Sequence, residues 1–312
     1  MPPFTDKSLD KALKRIRDIP SLPDVVNRTL EVMANPTAPA SEIARLISYD
    51  PGLTSKVLRI VNSAAYGFQR QISSVQHGIM ILGFNTVRGL VLSASIFKMF
   101  ETIDDERGLD HRGFWEHSMA VAMAARLIAK RFRLSGMDDA FSAGLLHDIG
   151  KMALDVYFQN EYRQVLQMAK ANKRPCHGDA FLEVEQRYLG TDHCQVGEAL
   201  ANKWRLPVTI TAVIAHHHHP EQATRCQTLA YVSALANALV DNFQMNCGVF
   251  RAEAVNADLC AYFDLDVEQL EALHIAMKAE LEGIEELMSS LTSKPPDAGA
   301  PPRKSAGGFG HS

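Results

Sequence analysis

The chain has 312 residues, 46% of them hydrophobic, and a formal net charge of -4. That length supports a well-buried core and about two domains, on a prior of roughly 100–200 residues per domain. The weak negative charge gives no electrostatic reason to expect nucleic acid or an anionic membrane as a partner. The five cysteines (Cys176, Cys194, Cys226, Cys247 and Cys260) show no CxxC spacing, which argues against a disulfide framework or a zinc knuckle. The start of the chain has no apolar signal core, and no run of roughly 18 apolar residues occurs, so we expect a soluble, cytoplasmic protein of bacterial type.

Apolar periodicity is helical almost throughout. Val25, Val26, Leu30 and Met33 form one face of a first helix, with Ser21 as its expected cap. A second helix is predicted near Ser41–Ser48, again with a serine at its start. Asp50-Pro51-Gly52 punctuates, and a third helix carries Leu53, Val57, Leu58 and Val61. Further helices are predicted at Ser74–Leu82, Thr86–Phe100, His111–Arg133, Asp138–Tyr157, Glu161–Ala171, His193–Trp204, Val208–His216, Thr228–Asn242 and Val267–Ser290. Period-2 alternation is scarce and hairpin dipeptides are absent, so the fold class is all-α. The polar stretch Glu101–Asp110 divides an N-terminal helical bundle, residues 1–105, from a second helical domain, residues 106–292. Residues 293–312, rich in Pro, Gly and Ser, read as a disordered tail. The helix–turn–helix outline over residues 40–64 offers only Lys56, Arg59, Asn62 and Ser63, too few charges for strong phosphate contact.

One run carries chemistry: Gly144-Leu145-Leu146-His147-Asp148-Ile149-Gly150-Lys151. An imidazole and a carboxylate inside an apolar stretch need partners, because burying both unpaired is costly. Neighbours on a helix point about 100° apart, so this dyad cannot chelate one ion as an i, i+4 pair would. It can flank a site at a helix end, with Asp148 bridging two metals or bonding the water between them. It can equally form a simple hydrogen-bonded cap. Lys151, four residues after His147, is placed to meet a phosphate oxygen. Candidate partners are His117, His193 in the first turn of a helix capped by Thr191 or Asp192, and the row His216–His219 before Pro220. Taken singly, His117 and His193 read as structural histidines, and a helix C-terminus accounts for one or two of the four in the row. Imidazole and carboxylate donors suit iron, manganese, zinc or nickel rather than calcium. Such an ion would activate water for attack on phosphorus.

These motifs resemble a known family. The segments Ile19-Pro20-Ser21-Leu22-Pro23-Asp24-Val25-Val26 and Asp50–Ala64, then Tyr66-Gly67 and Ile72–Gly83, together with FWEHS, GLLHDIGK, HCQVGEALANKWRLP, IAHHHHP and LANAL, look like the HDOD domain. That domain is a relative of the HD phosphohydrolases and the HD-GYP phosphodiesterases. The resemblance covers roughly residues 15 to 245. It implies two packed helical bundles, the second HD-like. It places metal ligands at His117, His147, Asp148, His193, His217 and His218, for one or two divalent ions. Asn237 stands where the enzymes have an Asp, Gly113 where some have a Glu, and Glu221-Gln222-Ala223-Thr224 where the GYP segment would be. The expectation is therefore a signalling module that is non-catalytic or weakly catalytic. It would bind regulatory proteins and take metal or nucleotide at its HD-like site. The alternative is a metal-dependent phosphohydrolase or phosphodiesterase acting on a nucleotide, with Asp148 and Lys151 in catalytic roles.

Overall fold

The computed structural model describes residues 19–33, 35, 38–62, 71–100, 108–171, 179–245 and 255–281. Among these the regular structure is helical and no strand occurs. The N-terminal bundle holds α1 (Asp24–Met33), α2 (Ala40–Ser48), α3 (Pro51–Val61), α4 (Val75–Leu82) and α5 (Phe84–Phe100). The second bundle begins with α6 (His111–Arg131), then α7 (Ala140–Leu146), α8 (Ile149–Tyr157), α9 (Gln159–Ala171) and α10 (Asp179–Leu189). It continues with α11 (His193–Lys203), α12 (Val208–His216), a 3₁₀ turn (Pro220–Gln222), α13 (Gln227–Met245), α14 (Ala257–Phe263) and α15 (Val267–Leu281). No helix among the described residues is long and apolar enough to cross a membrane. The expected boundary at residues 105/106 and the tail from residue 293 lie outside the described residues.

Local capping explains several helix starts. Ser74 accepts from the backbone of His77 and opens α4, Asp110 accepts from Gly113 and opens α6, and Asp192 accepts from Gln195 and opens α11. Two expected caps are corrected. Helix α1 begins at Asp24, so Ser21 lies too far upstream to cap it, and α2 begins behind Pro39, which places Ser41 inside the helix. Asn62 holds the backbone of Ile72 through both its carbonyl and amide groups, a bracing role within the N-terminal bundle.

One apolar core runs from Ile19 to Met277 through both bundles. Helix α5 joins them, packing on α1, α3 and α4 on one side and on α7 on the other. Arg88 of α5 forms a buried ion pair with Asp139, which also accepts from Thr209 at the start of α12 (2.5 Å). Helix α6 is the centre of the second bundle and touches α7, α13 and α15. It packs closest at Gly144, where a Cβ would come within 2.9 Å of Ala122 Cα.

Candidate metal centre

The expected single helix over Asp138–Tyr157 is two helices, and the break falls at His147-Asp148. The joint frees both side chains from one helical spiral and turns them into the space between α6, α11, α12 and α13. It also means that Lys151 belongs to the first turn of α8 rather than to a helix shared with His147. Its ammonium lies 2.7 Å from Asp148 Oδ2, over the Phe181 ring (5.6 Å to the ring centre), and is buried.

Asp148 is the hub. Its Oδ2 lies 3.2 Å from His147 Nε2 and 3.8 Å from His117 Nε2. Its Oδ1 lies 3.3 Å from His193 Nε2 and 3.4 Å from His217 Nε2. His218 completes the set, with its ring 4.4 Å from that of His217 and 5.2 Å from that of His193. The six residues predicted as ligands are therefore brought together from four parts of the chain. His216 and His219 line a cleft outside α10 and α11, and His219 also reaches the cavity over His217 and His218.

The imidazoles are aimed from behind. The Gly144 carbonyl meets His147 Nδ1 at 2.8 Å, and the carbonyls of Val213 and Ile214 meet His217 Nδ1 at 3.2 Å each. Glu185 of α10 meets His193 Nδ1 at 2.6 Å and also accepts from the His193 backbone at 3.0 Å. A proton held on Nδ1 leaves Nε2 as a lone pair facing inward. The inward atoms His147 Nε2, Asp148 Oδ1, His193 Nε2, His217 Nε2 and Asn237 Oδ1 are buried with no hydrogen-bond partner. One oxygen of the Asp148 carboxylate and four other such atoms form a donor set compatible with a cation.

Electrostatics divides the histidines. Burial holds His147 down at about 4, against the pull of Asp148, and burial together with His217 and His193 pushes His218 well below the ordinary range. Burial also opposes the charged form of His193, but Glu185 overcomes it and raises that group well above 6.5. For His217, burial is outweighed by the neighbouring Cys194 and Asp148, which raise it to about 9. Asp148 stays well below the usual carboxylate range because His147 and Lys151 outweigh its burial.

Three residues at the site were not singled out in the sequence. Glu185 lies on a helix, α10, that the periodicity did not reveal. Asp241 sits one turn after Asn237 on α13 and brings Oδ1 to 3.7 Å from His117 Nδ1, so a carboxylate faces the centre from that helix after all. Cys194, next to His193, is buried beside His217. A cavity of about 790 Å³ opens over His217, His218, Asn237 and Asp241, with the stacked rings of Tyr231 and Tyr262 in its wall.

A family profile for the HDOD domain matches residues 19–220. An uncharacterized protein of Treponema pallidum (strain Nichols) is 25% identical over 267 residues, 85% of this chain and 50% of the relative. The chain thus spans about half the length of that curated relative. An HDOD domain protein of unknown function from Geobacter sulfurreducens superposes with a TM-score of 0.69 at 26% identity, over 91% of this chain and 98% of the other. A protein of Marinobacter aquaeolei VT8, provisionally named for signal transduction, gives 0.74 at 20% identity, over 92% of this chain and 65% of the other. A provisionally named phosphohydrolase of Shewanella amazonensis SB2B gives 0.71 at 23% identity, over 90% and 98%. The last two establish a shared fold.

Proposed function

From the premise that this chain belongs to the HDOD domain family, we propose that it is a regulatory module whose HD-like half holds one or two divalent cations on His117, His147, Asp148, His193, His217 and His218. The observation that carries this reading is the Asp148 carboxylate, with one oxygen turned to His147 and His117 and the other to His193 and His217. A divalent ion in this cage, of iron, manganese, nickel or zinc, would supply Lewis acidity toward an anionic ligand. The chain's own residues keep the imidazoles aimed. Gly144 and Glu185 fix the two ring orientations, and Lys151 balances the charge of Asp148. Regulatory proteins would dock on helical surfaces. Tyr49, Met80 and Ile81 give the N-terminal bundle exposed apolar side chains suited to that.

The test is elemental analysis of the full chain, purified without a histidine tag and without added metal. One or two equivalents of a transition metal, lost in His147→Ala and His217→Ala, are expected. Protein that is metal-free, folded and unable to take up these ions would overturn the reading.

A second reading is a metal-dependent phosphohydrolase or phosphodiesterase acting on a nucleotide. The cavity over His217 and His218 favours it, because a ligand there would meet the ion directly. Among its described lining residues, however, are Glu221, Asp241 and Asp258 and no Lys or Arg. Turnover that rises in Asn237→Asp and vanishes in His147→Ala would establish this reading. Turnover unchanged by both would remove it.

A further inference from the structure

We infer that Cys194 is a metal ligand, so that the centre has two unequal halves: a thiolate-bearing position on His193, Cys194, His217 and His218, and a harder one on His117, His147 and Asp148. The inference rests on the metal-binding reading and adds to it a donor that the six predicted ligands do not include.

Geometry carries it. One donor atom from each of His193, Cys194, His217 and His218 lies within 4.8 Å of every other, and the same holds separately for His117, His147 and Asp148. Donors on a tetrahedral zinc stand roughly 3.3–3.6 Å apart, given bonds of about 2.0–2.1 Å to nitrogen and 2.3 Å to sulfur. Closing the cage therefore requires a contraction of about an ångström at its widest pair. The residues arrive as two adjacent pairs, one in the first turn of α11 and one at the end of α12, which pack against each other. Cys194 Sγ lies 4.0 Å from His217 Nδ1, and the cysteine is 7% exposed.

The surroundings point to a ligand rather than to packing. A buried cysteine that only fills space behaves as a small hydrophobe among apolar neighbours. This one has its sulfur 4.0 Å from His217 Nδ1 and directly follows His193, whose Nε2 has no hydrogen-bond partner. His193 cannot turn away to satisfy it, because Glu185 holds the other side of the ring. A nitrogen-rich cage with one sulfur favours zinc or iron over manganese. The His117, His147 and Asp148 group is the harder site. Asp148, with one oxygen toward each group, would connect the two.

X-ray absorption at the zinc edge tests this on the full chain, stripped with a chelator and reloaded with zinc. Wild type should show a sulfur scatterer at about 2.3 Å beside nitrogen and oxygen at about 2.0–2.1 Å. Cys194→Ala should bind zinc through its histidines and lack the sulfur shell. Cys194→Ser serves the same purpose should the alanine variant not fold, and the near-ultraviolet thiolate band of cobalt-loaded wild type needs no variant. A nitrogen–oxygen shell alone in wild type, or a sulfur shell that survives in either variant, would overturn the assignment of Cys194 and leave the metal reading standing. Failure of wild type to take up zinc would overturn both.

Discussion

Gly150 offers the sharpest test of how the centre is assembled. It is the second residue of α8, directly after the His147-Asp148 joint. A Cβ at this position would stand 1.8 Å from the His193 carbonyl oxygen, 2.7 Å from its carbonyl carbon and 2.9 Å from the Gly197 nitrogen. All three atoms are backbone, so no rotamer relieves the overlap. A close carbon–oxygen contact is about 3.3 Å, so Gly150→Ala must part α8 from α11 by about 1.5 Å. Overpacking costs typically ~1–3 kcal/mol, and a backbone clash of this depth belongs at the upper end. At roughly 2–4 °C per kcal/mol for a large chain, the melting temperature should fall by about 6–12 °C. The same movement draws Asp148 away from His193, now 3.3 Å distant, so zinc affinity should fall at least about tenfold, or ~1.4 kcal/mol. Calorimetry of the metal-free protein and zinc titration read the two effects independently. A variant that melts within about 1 °C of wild type and binds zinc equally well would refute the close crossing of α8 and α11.

The remaining predictions concern the electrostatics of the centre. Glu185→Gln keeps the size of the side chain that orients His193 but removes its charge. Zinc affinity should fall by about 10–100-fold with the fold retained, and an unchanged dissociation constant would count against an orienting role. Asn237→Asp adds a buried carboxylate where the Asn237 oxygen has no partner. It should lower the melting temperature of the metal-free protein and enlarge the increase produced by zinc, whereas equal shifts in both variants would place residue 237 outside the centre. In the metal-free protein His147 is held at about 4 against 6.5 unfolded, and His218 is also held low. As pH falls from 6.5 toward 4 the unfolded chain takes up protons at these two positions that the native state refuses, a loss of stability that the raised His193 and His217 offset in part. By pH 5 His147 alone contributes a loss on the order of 2 kcal/mol. Urea unfolding of metal-free protein at pH 7 and pH 5 should show this loss, reduced in His147→Gln; identical slopes in the two proteins would contradict it.

The helical architecture was legible because nearly every buried helix carries its apolar residues at helical spacing, as in Val26 and Met33 on α1 or Phe114, Met119 and Val121 on α6. The break at His147-Asp148 was not legible, since Leu145, Leu146, Ile149 and Met152 continue the apolar run through it. Helix α10 was missed for the opposite reason. Its sequence Asp-Ala-Phe-Leu-Glu-Val-Glu-Gln-Arg-Tyr-Leu is rich in charge, and only its position beside α9 and His193 reveals that Glu185 faces inward. The row His216–His219 was half legible: the resemblance picked out His217 and His218, but from the residues alone which of the four turn inward depends on how α12 packs against α7, α11 and α13. Asp241 illustrates the same limit. A helix turn separates it from Asn237, and only the crossing of α13 with α6 brings it to His117.

The balance of forces at the centre bears on the proposed cation. Five buried polar atoms lack partners there, and each such atom costs about 1–3 kcal/mol. The surrounding helices do not relieve that cost, because Gly144, Val213, Ile214 and Glu185 occupy the outer ring nitrogens and leave the inner ones facing only Asp148. Apolar side chains of similar size at the same positions would remove the cost altogether. An arrangement that spends stability to keep lone pairs pointed at one carboxylate makes physical sense when a cation repays it, since ion binding and folding then share one free energy.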